Sequence, residues 1–198
     1  MAANFLKLAV TDSVRKAQEQ YFGASLGLTG APERDALTEE ETSFIQARDS
    51  FYMASVTESG WPYVQHRGGR PGFLRVLNVQ TLAFADYRGN RQMLSTGNLT
   101  ANDRVALFLM DYPQRTRLKI LGHARVEDAR EQPELVRQLA EPDVQRIVER
   151  LFLIDVVTFD WNCPKYITPR YTADDIQEIV APLKARIAEL EAKLKNAN

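Results

Sequence analysis

Two stretches of this chain concentrate side chains suited to holding an anion. The first, QHRGGRPGFLRV, sets Arg67, Arg70 and Arg75 among Gly68, Gly69 and Gly72. The second, YRGNRQMLSTGNLTAND, carries Arg88, Arg91, Ser95, Thr96 and Asn98. Guanidinium forks take two phosphate oxygens at once, hydroxyls add donors, and a helix starting in such a segment offers its free N-terminal amides to the same charge. The glycines would let the backbone come close to a bound group. The same residues also suit a solvated loop whose arginines pair with Asp86, Asp103 and Glu58, and composition favours neither assignment over the other.

Other reactive side chains are sparse. His66, at a strand end, suits either the lining of a bound ring or a hydrogen-bonded structural position, and His123 in LGHARV reads as structural. Cys163 lies between Asn162 and Pro164 with no histidine nearby in sequence to generate a thiolate, so it reads as a packing residue. One cysteine and two histidines leave no intrachain disulfide and no zinc-type ligand cluster. A net charge of -1 over 198 residues argues against general nucleic-acid binding, which needs a large excess of Lys and Arg. The chain has no run of eighteen apolar residues, and MAANFLKLAVTDSVRK lacks the features of a cleaved leader, so a cytoplasmic protein without membrane attachment is expected.

The elements that must position these residues follow from periodicity. DSVRKAQEQYF reads as a helix, and ALTEEETSFIQARDS as another, opened by Thr38 with Glu41 three residues on as a capping box. From Phe51 to Asp128 the segments FYMASVT, PYVQHR, FLRVL, TLAFAD, RVALFLMD and TRLKILGHARVE read as about six strands. Helices are expected near EQPELVRQLA and over EPDVQRIVERL, before LFLIDVVTFDW returns as a strand. Short connections at Glu58-Ser59-Gly60 and Asn78-Val79-Gln80 make the sheet antiparallel and barrel-like, and a short helix within YRGNRQMLSTGNLTAND is placed across the barrel mouth. The result is a mainly β chain with flanking helices: a single domain over 1–198, with a helical arm at 1–50, a barrel with inserted helices at 51–160, and a tail and C-terminal helix at 161–198.

The run GWPYVQHRGGRPGFLRV, followed by TLAFADYRGNRQMLSTGNLTANDRVALFLMDYPQRTRLKILGHARV, resembles the pyridoxamine 5'-phosphate oxidase-like family of FMN-binding split barrels, over roughly positions 44 to 128. DWNCPKYITPRYT resembles the tail of one subgroup. The resemblance implies an antiparallel split β-barrel, homodimeric, with FMN at the subunit interface. Carried over by position, it places Gln65, His66, Arg67 and Gly68 along the ribityl chain and phosphate and Ser95 and Thr96 as phosphate donors, with Asp86 and Asn98 close by. The family's serine, arginine and lysine after the strand are replaced here by GNRQMLSTGN, which makes Arg91 the candidate for the displaced cation. Arg117 corresponds to a position beside the flavin ring, its alternative being a solvent-facing strand residue. Trp161, Lys165 and Arg170 are candidates for contact with substrate or with the partner subunit's flavin, their alternative being anchorage of the tail.

The function implied is an FMN-dependent oxidoreductase exchanging electrons with a small-molecule donor or acceptor. The alternatives are a noncatalytic flavin carrier and a related split barrel that holds haem or a deazaflavin. In DDIQEIVAPLKARIAELEAKLKNAN, Leu183, Ile187, Leu190 and Leu194 follow one another at four, three and four residues, as in a coiled-coil seam. Pro182 is expected to kink this helix or mark its start, and its apolar stripe suits pairing with a second copy or packing on the barrel.

Overall fold

Alternation of side chains builds the sheet. In the computed structural model, which describes residues 3–161 and 165–197, Phe51, Met53 and Ser55 of β1 (Ser50–Val56) are buried while Tyr52 is exposed. β2 (Pro62–Gly68) follows through a turn in which Gly60 has a left-handed backbone (φ 88°) and Thr57 N–H donates to Trp61 C=O. β3 (Arg75–Asn78) and β4 (Thr81–Tyr87) form the second expected hairpin. β5 (Arg104–Asp111) and β6 (Thr116–Asp128) bury Val105, Leu107, Leu109, Leu118 and Ile120. β7 (Val148–Trp161) completes an antiparallel seven-stranded sheet in the order β2-β1-β5-β6-β7-β4-β3.

The two ends of that order share one core. Phe51 of β1 lies edge-on to Phe84 of β4, with ring centroids 5.5 Å apart, and stacks on Phe73 at 5.6 Å. Phe84 in turn stacks on Phe152 of β7 at 4.8 Å. The other face of β4 and β7 carries a second, smaller core, in which Ala83, Ala85, Leu151 and Leu153 meet Val136 and Leu139 of a short helix, Pro133–Leu139. Burial on both faces explains the near-continuous apolar run of β7. Gly122 is required where β6 bulges against β7, because a Cβ there would lie 2.7 Å from Asp155 C=O.

Of the N-terminal helices, Asp12–Phe22 and Glu39–Gln46 form as expected, and Ala3–Ala9 is a further one. Thr38 caps Glu39–Gln46 with both bonds of the box present, and Glu41 has a second task. Its Oε1 accepts the Trp161 indole N–H at 2.7 Å, fastening this helix to the end of β7. Burial raises the Glu41 pKa, but hydrogen bonds from the Thr38 hydroxyl, the Trp161 indole and the Thr38 amide outweigh it and hold the carboxyl below its ordinary value.

The segment EPDVQRIVERL departs from the expected helix. It holds one 3₁₀ turn, Gln145–Ile147, and from Val148 onward it is strand, paired with β4 through Tyr87↔Val148 and Asp86↔Arg150. Glu149 and Arg150 stand between the β-branched Val148 and the apolar run that begins at Leu151, and pairing with β4 prevails over the weak helical spacing.

The chain divides into two compact units, one of residues 1–110 and 117–163, the other of 111–116 and 164–198. Within the second, one helix runs from Ala173 to Ala197 without interruption at Pro182. Thr172 caps it reciprocally: its N–H donates to Asp175 Oδ2 at 2.7 Å, and Asp175 N–H donates to Thr172 Oγ1 at 3.1 Å. Among the described residues, no helix is long and apolar enough to cross a membrane. Cys163 lies outside the described residues.

Candidate functional site

Period-two alternation along β2 turns Tyr63, Gln65 and Arg67 to one face and Val64 and His66 to the other. The first face forms a wall of a pocket of ≈ 320 Å³. Opposite stand Phe84, Asp86 and Tyr87 of β4, the loop at 89–93 and the first residues of the helix Leu94–Ala101. Both arginine-bearing stretches therefore reach one cavity, although 19 residues separate Arg67 from Asp86.

Its charged centre is a chain of three side chains. Arg67 Nη1 donates to Asp86 Oδ1 at 2.6 Å, while Arg150 Nε and Nη2 donate to Asp86 Oδ2 at 2.9 and 2.7 Å. The side chains of Arg67, Asp86 and Arg150 are only 12%, 13% and 16% exposed. Two guanidinium groups on one carboxylate leave a positive charge in excess, and Glu149, which accepts from Arg150 Nη1 at 3.2 Å, offsets it from outside the pocket lining. Arg67 also lies over the rings of Phe152, at 4.8 Å, and Phe84, at 5.4 Å. Burial lowers the Arg67 pKa and the Asp86 carboxylate opposes that shift, so the group stays cationic at neutral pH. Its Nε is buried without an acceptor.

The helix Leu94–Ala101 points an unmet end toward the same cavity. No side chain caps it, and the two residues Arg91 and Met93 before it have left-handed backbones, with φ of 59° and 57°. Such conformations cost about 1–2 kcal/mol for a side chain other than glycine, and strain of this kind gathers at ligand sites. Ser95 is buried and donates its hydroxyl to Gln65 Oε1 at 2.7 Å, which ties the helix to β2. Arg91 is exposed at the rim.

Gln65, His66, Arg67, Gly68, Asp86, Arg91, Ser95 and Thr96 all border the pocket. His66 is edge-on to Tyr52 across the β1–β2 pair, at 5.5 Å, on the alternate face of its strand. Asn98 is turned into the protein, where its Nδ2 donates to Ser55 Oγ at 2.9 Å. Arg117 lies on β6 with its guanidinium 5.5 Å from the Phe108 ring, outside the pocket lining. Trp161 is held by Glu41 and by an edge contact with Phe44 at 4.8 Å, an anchoring arrangement. Lys165 and Arg170 belong to the second unit, where Arg170 lies over the Tyr112 ring at 5.0 Å. Gly69 has a packing reason rather than a ligand reason, since a Cβ would meet the Phe73 ring at 2.6 Å. Arg150 lies in a segment whose spacing predicts a helix, which hides it from the sequence; the signal that reveals it is the cross-strand register with Asp86.

A family model described as pyridoxamine 5'-phosphate oxidase matches residues 37–155, more than half of the chain. The chain belongs to the pyridoxamine 5'-phosphate oxidase-like family. Several solved structures are similar to the chain at low identity. One from Lactobacillus delbrueckii, described as a candidate pyridoxamine 5'-phosphate oxidase, is 21% identical, covers 63% of this chain and 93% of its own, and superposes with a TM-score of 0.50. HupZ of Group A Streptococcus is 12% identical over 68% of this chain and 99% of its own, with a TM-score of 0.49. An F420 reductase is 16% identical over 63% and 98%, with a TM-score of 0.46. No curated protein matches the chain by sequence.

Proposed function

We propose that the protein is an FMN-dependent oxidoreductase of the pyridoxamine 5'-phosphate oxidase-like family, and that the pocket between β2, β4 and the helix Leu94–Ala101 holds the FMN phosphate. The observation that carries this reading is the buried Arg67–Asp86–Arg150 chain, in which Arg67 keeps an orphaned donor, beside a helix end that no side chain caps. A phosphate dianion answers both the cationic donors and the free helix end. Arg67 and Arg91 would hold its oxygens, Thr96 and the amides of the first helical turn would add donors, and Ser95 would give up its bond to Gln65 to join them. When bound, FMN supplies the hydride and electron transfer. The chain's own groups bind it, orient it and keep the phosphate end out of bulk water.

The family's dimeric arrangement is part of this proposal. Arg117 does not line its own pocket, so it takes part as a donor to the flavin ring held by a second copy. An Arg117→Met variant is then expected to bind FMN normally and to hold it at a midpoint potential lower by roughly 30 mV, the equivalent of about 1.4 kcal/mol for a two-electron couple. An unchanged potential would leave Arg117 a strand-surface residue. The oxidoreductase itself is tested by the absorption spectrum of the purified protein and by anaerobic reduction with nicotinamide cofactors. Flavin bands that bleach on reduction and return with an acceptor support it. A haem Soret band, a deazaflavin spectrum or a flavin that no donor reduces would overturn it.

A further inference from the structure

The helix Ala173–Ala197 carries an apolar seam longer than the four residues that first mark it. Ile176, Val180, Leu183, Ile187, Leu190 and Leu194 recur at four, three, four, three and four residues, an unbroken heptad alternation. With Val180, Ile187 and Leu194 at a, the d positions are Ile176, Leu183 and Leu190. Five of the six are between 43% and 66% exposed, a continuous apolar stripe on one side of the helix. The outer positions b, c and f hold Ala181, Pro182, Ala185, Ala188, Glu189 and Ala192, which puts the proline away from the seam.

We infer that this helix pairs with the same helix of a second copy as a parallel, two-stranded coiled coil. The choice of occupant rests on the seam's own chemistry. The central layers place β-branched Val180 and Ile187 at a and Leu183 and Leu190 at d, the distribution that selects two parallel strands over larger bundles. Charge agrees with it. In a parallel pair Arg186 at g faces Glu191 at e of the other copy, and Lys184 at e lays its methylenes against Ile179 at g. An antiparallel pair would instead bring g against g, where Arg186 and Lys193 repel. Fewer than three heptads are marginal for free peptides. Two chains already joined elsewhere meet at an effective concentration on the order of millimolar, which suffices.

This goes beyond the dimer proposed above by giving the helix an occupant and a direction, and it does not depend on the flavin. The test uses full-length protein in which Cys163 is replaced by serine. Single cysteines are placed on the seam (Leu183→Cys, Leu194→Cys) and on the outer face (Ala185→Cys, Ala192→Cys). In a parallel, in-register pair each seam cysteine faces its own copy, so both seam variants are expected to form interchain disulfides faster than the outer variants by on the order of tenfold or more. Adding Leu183→Glu and Leu190→Glu to Leu194→Cys should abolish that advantage. Equal rates at seam and outer positions, cross-linking at only one of the two seam positions, or no cross-linking at all would each overturn the parallel pair. FMN affinity and sedimentation, measured on the same variants, report separately on the pocket and on the rest of the dimer.

Discussion

Replacing Asp86 by asparagine should destabilise the ligand-free protein by about 3 kcal/mol, because it removes the one anion between two guanidinium groups that are nearly buried. For a chain of this size that is a fall in Tm on the order of 6–12 °C. The amide can accept from one arginine, but its NH₂ then opposes the other. The informative part is the rescue. Inorganic phosphate or FMN supplies the missing negative charge, so either should raise the Tm of Asp86→Asn by more than it raises that of the parent protein. If the variant melts like the parent, or if anions stabilise both equally, the carboxylate is not what holds the two arginines and the charge count at the centre of the pocket is wrong.

Arg67→Met should behave in the opposite way. The methionine retains much of the aliphatic volume against Phe84 and Phe152, and Asp86 keeps its two bonds to Arg150, so the fold should persist. What disappears is the charged donor that the proposed phosphate would use. Charged hydrogen bonds contribute about 1.5–3 kcal/mol, so FMN affinity should fall by roughly 10- to 150-fold while riboflavin affinity changes little. Equal weakening of both flavins would mean that Arg67 shapes the pocket without touching a phosphate. The pair of variants thus separates holding the fold from holding the ligand.

Much of this architecture is legible in the chain itself, for reasons that differ by element. β1, β5 and β6 stand out because each buries one face, and β2 because its exposure alternates, so alternation and turn residues mark both their course and their ends. The capping box at Thr38 and Glu41 is equally plain, since its two hydrogen bonds are local. Arg150 shows where such reading stops. Its strand is buried on both faces over Leu151–Ile154, the alternation vanishes there, and only pairing with β4 reveals that it shares Asp86 with Arg67. Trp161 and Gly69 stop at the same limit: their reasons, Glu41 and Phe73, lie in tertiary contacts. The pocket's membership is legible because both stretches hold unusual densities of donors, while the ion-pair chain at its centre is a property of the fold.

The central claim is that this pocket recognises the phosphate of a flavin, and the most direct measurement is a paired titration of flavin-free protein with FMN and riboflavin, followed by quenching of flavin fluorescence. The isoalloxazine and ribityl portions are the same in both, so the ratio of the two dissociation constants isolates the phosphate. With charged donors from Arg67, Arg91 and the helix end, FMN is expected to bind about 100-fold tighter, or more. The preference should shrink at high salt only modestly, because the Arg67 centre is nearly buried. Indistinguishable affinities for FMN and riboflavin would contradict the account.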